Sequence, residues 1–164
     1  MNLWIPARDS CLQCLARDRA RQGGAFGGDR QSGFSETGNR NMKINTWREL
    51  EVYQSAFVLQ QRIFEFSKLW PSEERYSLTD QIRRSSRSIG ANIAEAWAKR
   101  RYPAHFLSKL TDSDGELQET LHWLESAKAC GYVSDHEADD LVQLASQVGR
   151  QLGSMINRHE SFCF

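Results

Sequence analysis

Residues 77–101 read SLTDQIRRSSRSIGANIAEAWAKRR, and their spacing decides the fold. At helical pitch Leu78, Ile82, Ser85, Ile89, Ile93 and Ala96 follow at intervals of four, three, four, four and three, one apolar stripe down one side of an α-helix. Arg83, Arg87 and Arg101 fall on roughly the opposite side, flanked by Arg84, with Lys99 and Arg100 at the helix end. One helix thus carries a core face and a basic outer face. Its many small side chains (Ser85, Ser86, Ser88, Gly90, Ala91, Ala94, Ala96, Ala98) lower helix propensity where they are Ser or Gly, and let a neighbouring helix approach closely.

Three more helices flank it. The first is expected from about Thr46 to Leu69, with Thr46 as N-cap, Glu49 completing a capping box and Pro71 behind its end. Its apolar residues, Val52 and Tyr53 through Phe64 and Phe66, cover about half the circumference, wide for a helix that packs on one side only. The basic helix stops before Pro103. A third helix runs from Pro103, suited to a first helical position, to Ala129, with Gly131 as its stop. Phe106, Leu110, Leu117, Leu121 and Leu124 form its stripe. The fourth begins after Ser134, with Glu137 three residues on, and carries Ala138, Leu141, Ala145, Val148, Leu152 and Met155 as an unbroken seam. Nothing reads as a strand. The expected fold is all-α, an antiparallel up-down-up-down four-helix bundle over residues 44–160.

Residues 1–43 differ. They hold GGAFGG and scattered Gly, Arg, Ser and Asn without apolar period, and read as a disordered leader. Met42 directly precedes the first periodic segment, so the expected biological start is Met42, with the leader a mis-called extension. Cys11-Leu-Gln-Cys14 lies in this leader with no further ligands near it for zinc and no βαβ pattern for redox work, and reads as incidental. Cys130 and Cys163 make no disulfide framework, which fits a reducing, cytoplasmic setting. No apolar run approaches the ~20 residues that span a bilayer.

Lysine plus arginine and aspartate plus glutamate both number 21, yet the layout is uneven. Arg75 to Lys109 holds eight basic and two acidic residues; Asp112 to Lys128 holds five acidic and one basic. The basic face, Arg83, Arg84, Arg87, Lys99, Arg100 and Arg101, can track a phosphate backbone. The same side chains can instead pair with the acidic third helix of the same or a neighbouring copy. Charge alone does not separate the two. Trp123 points more than a quarter turn from the leucine stripe, and with Phe66 on the broad arc of helix one it marks an expected oligomer interface.

Little catalytic chemistry is expected. Glu119-Thr-Leu-His122 has the spacing of a di-iron ligand pair but no second copy and an outward face. His105, His136 and His159 lack a carboxylate constellation, and there is no nucleophile set or phosphate-cradling glycine loop. No cofactor, metal or small-molecule substrate is expected. Asp114, placed within the stripe of helix three, with Asn92 and Glu95 on helix two, reads as a polar network that fixes helix register or subunit docking.

Trp47-Arg-Glu-Leu-Glu-Val-Tyr53, Leu78-Thr-Asp-Gln-Ile-Arg-Arg84 and Ser88-Ile-Gly-Ala-Asn-Ile-Ala-Glu95 resemble the four-helix-bundle proteins of the 23S ribosomal RNA intervening-sequence family. Gly115-Glu-Leu-Gln-Glu-Thr120, Trp123-Leu124, Cys130-Gly-Tyr132, Met155-Ile-Asn-Arg158 and Phe162-Cys163 look similar to a subgroup of it. The resemblance covers about Met42 to Cys163. It implies a left-turning bundle assembled as a ring-like homo-oligomer, with a pentamer as precedent. It also implies kinship in fold with accessory proteins of diversity-generating retroelements, which bind nucleic acid through basic surfaces. Arg83, Arg84, Asn92 and Glu95 lie on the family block; Ala96 stands where the family commonly has Gly. The combined expectation is a non-enzymatic, cytoplasmic homo-oligomer that holds RNA or DNA through helix two. The alternatives are a scaffold subunit whose basic helix is consumed between protomers and, more remotely, a metal-binding bundle enzyme. Mass spectrometry of the native N-terminal peptide checks the leader: a peptide starting at Met42 is expected, and one starting at Met1 overturns that reading.

Overall fold

The computed structural model describes residues 44–164. The leader and the Cys11–Cys14 pair lie outside the described residues. Four helices follow in order: α1 (Glu51–Ser67), α2 (Leu78–Lys99), α3 (Pro103–Ala129) and α4 (Asp135–Asn157). There is no strand among the described residues. Each helix packs on the next, and α1 closes onto α4. Side-chain pairs give the directions. Along α3, Lys109 meets Asn92, Ser113 meets Ile89 and Thr120 meets Ser85, so α2 and α3 run antiparallel. Gly90 and Arg83 of α2 meet Tyr53 and Ser67 of α1 in the same reversed order. Lys128 and Phe106 of α3 lie beside Asp135 at the start of α4 and Phe162 beyond its end.

The α2 stripe enters the core as its spacing requires: Leu78, Ile82, Ser85, Ile89, Ile93 and Ala96 are all buried. So is the α4 seam from Ala138 to Met155. On α3 the buried row is Phe106, Leu110, Ser113, Leu117, Thr120, Leu124 and Ala127, which alternates three and four without a gap. Leu121 is only half-buried, and Asp114 sits beside the row, not in it. The expectation for Asp114 is corrected: Ser113, one residue earlier, takes the core position. Its hydroxyl donates to the Ile89 carbonyl at 2.9 Å, so no charge needs to be desolvated there. Thr120 Oγ1 lies 3.0 Å from Ser85 Oγ and 2.8 Å from the Glu116 carbonyl. Ser85, Ser86 and Ala96 on the facing helix are small and buried, and α2–α3 is the most extensive helix pair of the bundle.

The helix ends follow capping chemistry, with one surprise. Ser134 and Glu137 form the expected capping box of α4. Gly131 has φ 73°, and the Tyr132 and Gly131 amides donate back to the Ala127 and Lys128 carbonyls, the Schellman closure of α3. The first helix starts later than expected. Thr46 donates its hydroxyl to the Glu49 carboxylate and caps no backbone amide. Trp47–Glu49 makes a single 3-10 turn, Leu50 turns extended to bury its side chain, and α1 begins at Glu51. At the start of α2 the cap comes from the preceding turn: Glu74 accepts from the Ser77 hydroxyl, from the Leu78 amide at 3.3 Å and from the Tyr132 phenol at 3.1 Å. These bonds, the Ser77 one foremost, hold the Glu74 carboxyl below the usual carboxylate range.

Two outcomes are expected. A Cβ at Gly90 would stand 3.5 Å from the Tyr53 ring, ordinary contact, so Gly90→Ala should raise stability by about 0.5–1 kcal/mol in urea titrations. Because Glu74 has a lowered pKa in the fold, its contribution is present above the usual carboxylate range and is lost as pH falls through the folded value. Glu74→Gln should therefore be the less stable protein at pH 7, with the difference closing in acid; thermal melts across pH check it.

Candidate nucleic-acid interface

The outward positions of α2 follow from its buried stripe, since successive residues step about 100° around the axis. Arg84 and Arg87 are exposed in mid-helix and Arg101 beyond its end. Arg84 has Asp80 one turn back at 3.8 Å. Lys99 is exposed and sits 3.9 Å from Glu95. Two expected members of the outer face are elsewhere. Arg83 is half-buried, turned toward α1, and its Nε–H donates to the Ser67 hydroxyl at 2.7 Å. The cause is geometric: one step from buried Ile82 puts position 83 on the flank that α1 covers, not opposite the core. Burial first, and the nearby Arg87 second, pull its pKa down, with Asp80 opposing. Arg100 folds back over Trp97 with its guanidinium 4.1 Å from the ring, donates to the Trp97 carbonyl at 2.8 Å and stacks near Phe164. It closes the end of the core more than it faces outward.

Lysines and arginines divide the work. Among the described residues every lysine, at 68, 99, 109 and 128, has a carboxylate within 4 Å. Among the arginines only Arg84 has one. The acidic α3 therefore does not take up the α2 arginines within a protomer. The pairing that joins the two helices runs the other way: Lys109 of α3 reaches Glu95 of α2 at 3.1 Å, Asp112 at 3.2 Å and the Asn92 amide oxygen at 3.4 Å. The hydrogen bonds to Glu95 and then Asp112 push the Lys109 pKa up. Asn92 and Glu95 thus meet one lysine, with Lys109 at the centre of the contacts and Asp112 the fourth member; Asp114 has no part in it.

Trp123 is half-buried, packs on the core, and donates its indole N–H to Glu119 at 3.0 Å, with His122 against its ring edge. The Glu119–His122 spacing is thereby spent on holding an indole. No group of three or more His, Cys, Asp or Glu close enough for a metal exists among the described residues. Phe66 is half-buried beneath the Arg62 guanidinium. On the helices the exposed large apolar side chains are Phe57 and Val58 of α1 and Val142 of α4; Leu69, Tyr76, Tyr102 and Phe164 are exposed between and beyond the helices. Val58 and Leu144 line an open groove of about 730 Å³ between α1 and α4 with Arg62 and Arg150 across it. No described helix is long and apolar enough to cross a membrane.

Sequence reasoning missed the α1 side of this surface. Phe64, Ser67 and Lys68 bring an aromatic ring, a hydroxyl and a cation beside Arg83 and Arg87. The signal was present in the chain. Arg83 and Arg87 are one turn apart, and Phe64, Ser67 and Lys68 share one face of α1 at intervals of three and four. Only the relative rotation of the two helices shows that those faces meet.

The sequence profile of the 23S rRNA-intervening sequence proteins matches residues 48–154, which includes most of all four helices. A crystal structure of a protein of unknown function from Bacteroides thetaiotaomicron, assigned to the S23 ribosomal protein family, superposes with a TM-score of 0.59 at 29% identity. The match covers 65% of this chain and 95% of that one. No curated protein matches. With the profile spanning the bundle and a solved neighbour of the same fold, this chain belongs to the family of 23S rRNA-intervening sequence proteins.

Proposed function

We propose that the protein is a non-enzymatic homo-oligomer that holds RNA or DNA by its phosphate backbone through basic side chains of α2. The observation that carries this reading is the lysine–arginine division. Lysine charges are answered inside the protomer, while the guanidinium groups of Arg87 and Arg101 meet no carboxylate among the described residues. Arg84 has a single exposed partner at 3.8 Å. Exposed pairs of that kind contribute little and exchange readily. Guanidinium groups in water stabilise the protomer hardly at all; they gain when they neutralise the phosphates of a polyanion and its condensed counterions escape to the solvent. The name of the family and the S23 assignment of the solved neighbour support an RNA setting.

Self-association multiplies a small patch. Exposed Phe57, Val58 and Val142 are apolar side chains outside the core, and they support an interface on the α1–α4 side. The pentamer of the resemblance is the assembly we adopt, with the cytoplasm as its setting, where Cys130 and Cys163 stay reduced. The second reading is a scaffold in which the arginines of one copy meet α3 of the next. Glu116 favours it: half-buried, without an ion pair within 4 Å, its carboxyl is raised by burial and then by Glu119, with Arg84 of the same copy opposing. Salt separates the two readings, since raising it frees nucleic acid in the first and dissociates the oligomer in the second.

Reversing Arg84, Arg87 and Arg101 to Glu should abolish retention of RNA and DNA at low salt while far-UV circular dichroism stays helical. For a duplex, every phosphate that is no longer neutralised should take about 0.9 off the slope of log affinity against log salt. Retention equal to the unaltered protein would overturn the proposal.

A further inference from the structure

The half-buried ring of Phe64 on α1 gathers three cations. The guanidinium carbons of Arg83 and Arg87 lie 5.0 and 5.6 Å from its centroid, and Lys68 Nζ lies at 4.6 Å. Both Glu65 oxygens hold Lys68 at 2.8 Å, so its charge is answered. The two guanidinium groups are not; neither has a carboxylate within 4 Å among the described residues. Arg83 is also oriented. The buried Ser67 donates its hydroxyl proton to the Phe64 carbonyl at 3.1 Å, which leaves its oxygen to accept the Arg83 Nε–H at 2.7 Å. The Nη groups of Arg83 find no acceptor among the described residues. Two like charges, one of them partly buried and held by Ser67, thus lie against one ring, and burial with Arg87 weakens the hold of Arg83 on its proton.

Such an arrangement costs the protomer free energy until an anion arrives. It is also what a bidentate oxyanion seat requires: a planar fork with its orientation set in advance, a second cation one turn away, and an apolar floor. We propose that the groove between α1 and α2 is a phosphodiester seat, with the Nη groups of Arg83 gripping one phosphate, Arg87 beside it and Phe64 beneath. The inference rests on the nucleic-acid reading above and adds a defined seat to a diffuse basic face. A repeating polyanion suits it, because the uncompensated charge comes as an adjacent pair.

Binding of single-stranded RNA and DNA twelve-mers, measured at several salt concentrations with the oligomer mass followed in parallel, tests it. Arg83→Lys keeps the charge and loses the fork; Ser67→Ala keeps every charge and frees the Nε–H. Each should weaken binding about tenfold with the salt slope unchanged, whereas Arg158→Lys, beyond the end of α4 and held by Ser154, should stay within about twofold. Glu65→Gln, a surface change that cannot unfold the bundle, frees Lys68 and should tighten binding, steepening the slope by about 0.7. Comparable effects on both polymers are expected, since they share the phosphodiester; an effect on one alone would mean sugar or base contacts and would overturn the seat. Wild-type affinity in Arg83→Lys, Ser67→Ala and Glu65→Gln would also overturn it, while loss on reversing Arg84, Arg87 and Arg101 left the outer-face reading standing. A smaller oligomer with unchanged binding in Arg83→Lys would assign the groove to a carboxylate of a second copy instead. No binding by the unaltered protein would remove the parent reading itself.

Discussion

The rotation of α2 about its own axis is the constraint from which the rest of the bundle follows. Two hydroxyl contacts set it: Ser113 to the Ile89 carbonyl and Thr120 to Ser85. Both lie in the buried seam with α3; for Ser113 an unmade hydrogen bond would cost about 1–3 kcal/mol, while Thr120 and Ser85 also reach the Glu116 and Ile82 carbonyls of their own helices. An apolar seam tolerates small slips; a hydroxyl that must meet one particular carbonyl does not. The small side chains along α2 allow the approach, and the hydroxyls choose the angle. Once that angle is set, position 83 is turned to α1, positions 84 and 87 to water, and position 97 to the bundle end.

Electrostatics are then sorted by side-chain type. Lysine, a compact and strongly hydrated charge on a flexible stem, serves where two helices are tied at their surfaces, as at Lys109 and Lys128. Arginine, planar and less strongly hydrated, lies over rings at Trp47, Phe64, Phe66 and Trp97. A stacked guanidinium keeps its in-plane N–H groups pointing away from the ring, so stacking does not consume its capacity to bind an oxyanion. The zero net charge of the whole chain hides this sorting completely.

The helices were legible because hydrophobic periodicity survives in a single sequence. The α2 and α4 stripes, the Ser134 box and the Gly131 stop all stand where their spacing put them. Three things were not legible, each for a physical reason. The α3 row hid Ser113 and Thr120 because polar residues in a seam break an apolar pattern, and Asp114 took the place of its neighbour. Thr46 followed by Glu49 satisfies the pattern of a capping box, yet burial of Leu50 outweighed it and delayed α1. Arg83 read as an outer residue because a stripe drawn on one helix says nothing of the width of the helix beside it. The basic face was visible as composition, and its division into pinned and exposed guanidinium groups only as geometry.

The bond from the Tyr132 phenol to Glu74 joins residues 58 apart in the chain. It closes the segment holding α2 and α3 at its base, next to the Trp70 ring 6.1 Å from that of Tyr132. The α2–α3 hairpin is thereby clasped at its open end as well as by its short turn. Fraying of the hairpin from this end therefore has to break that bond first.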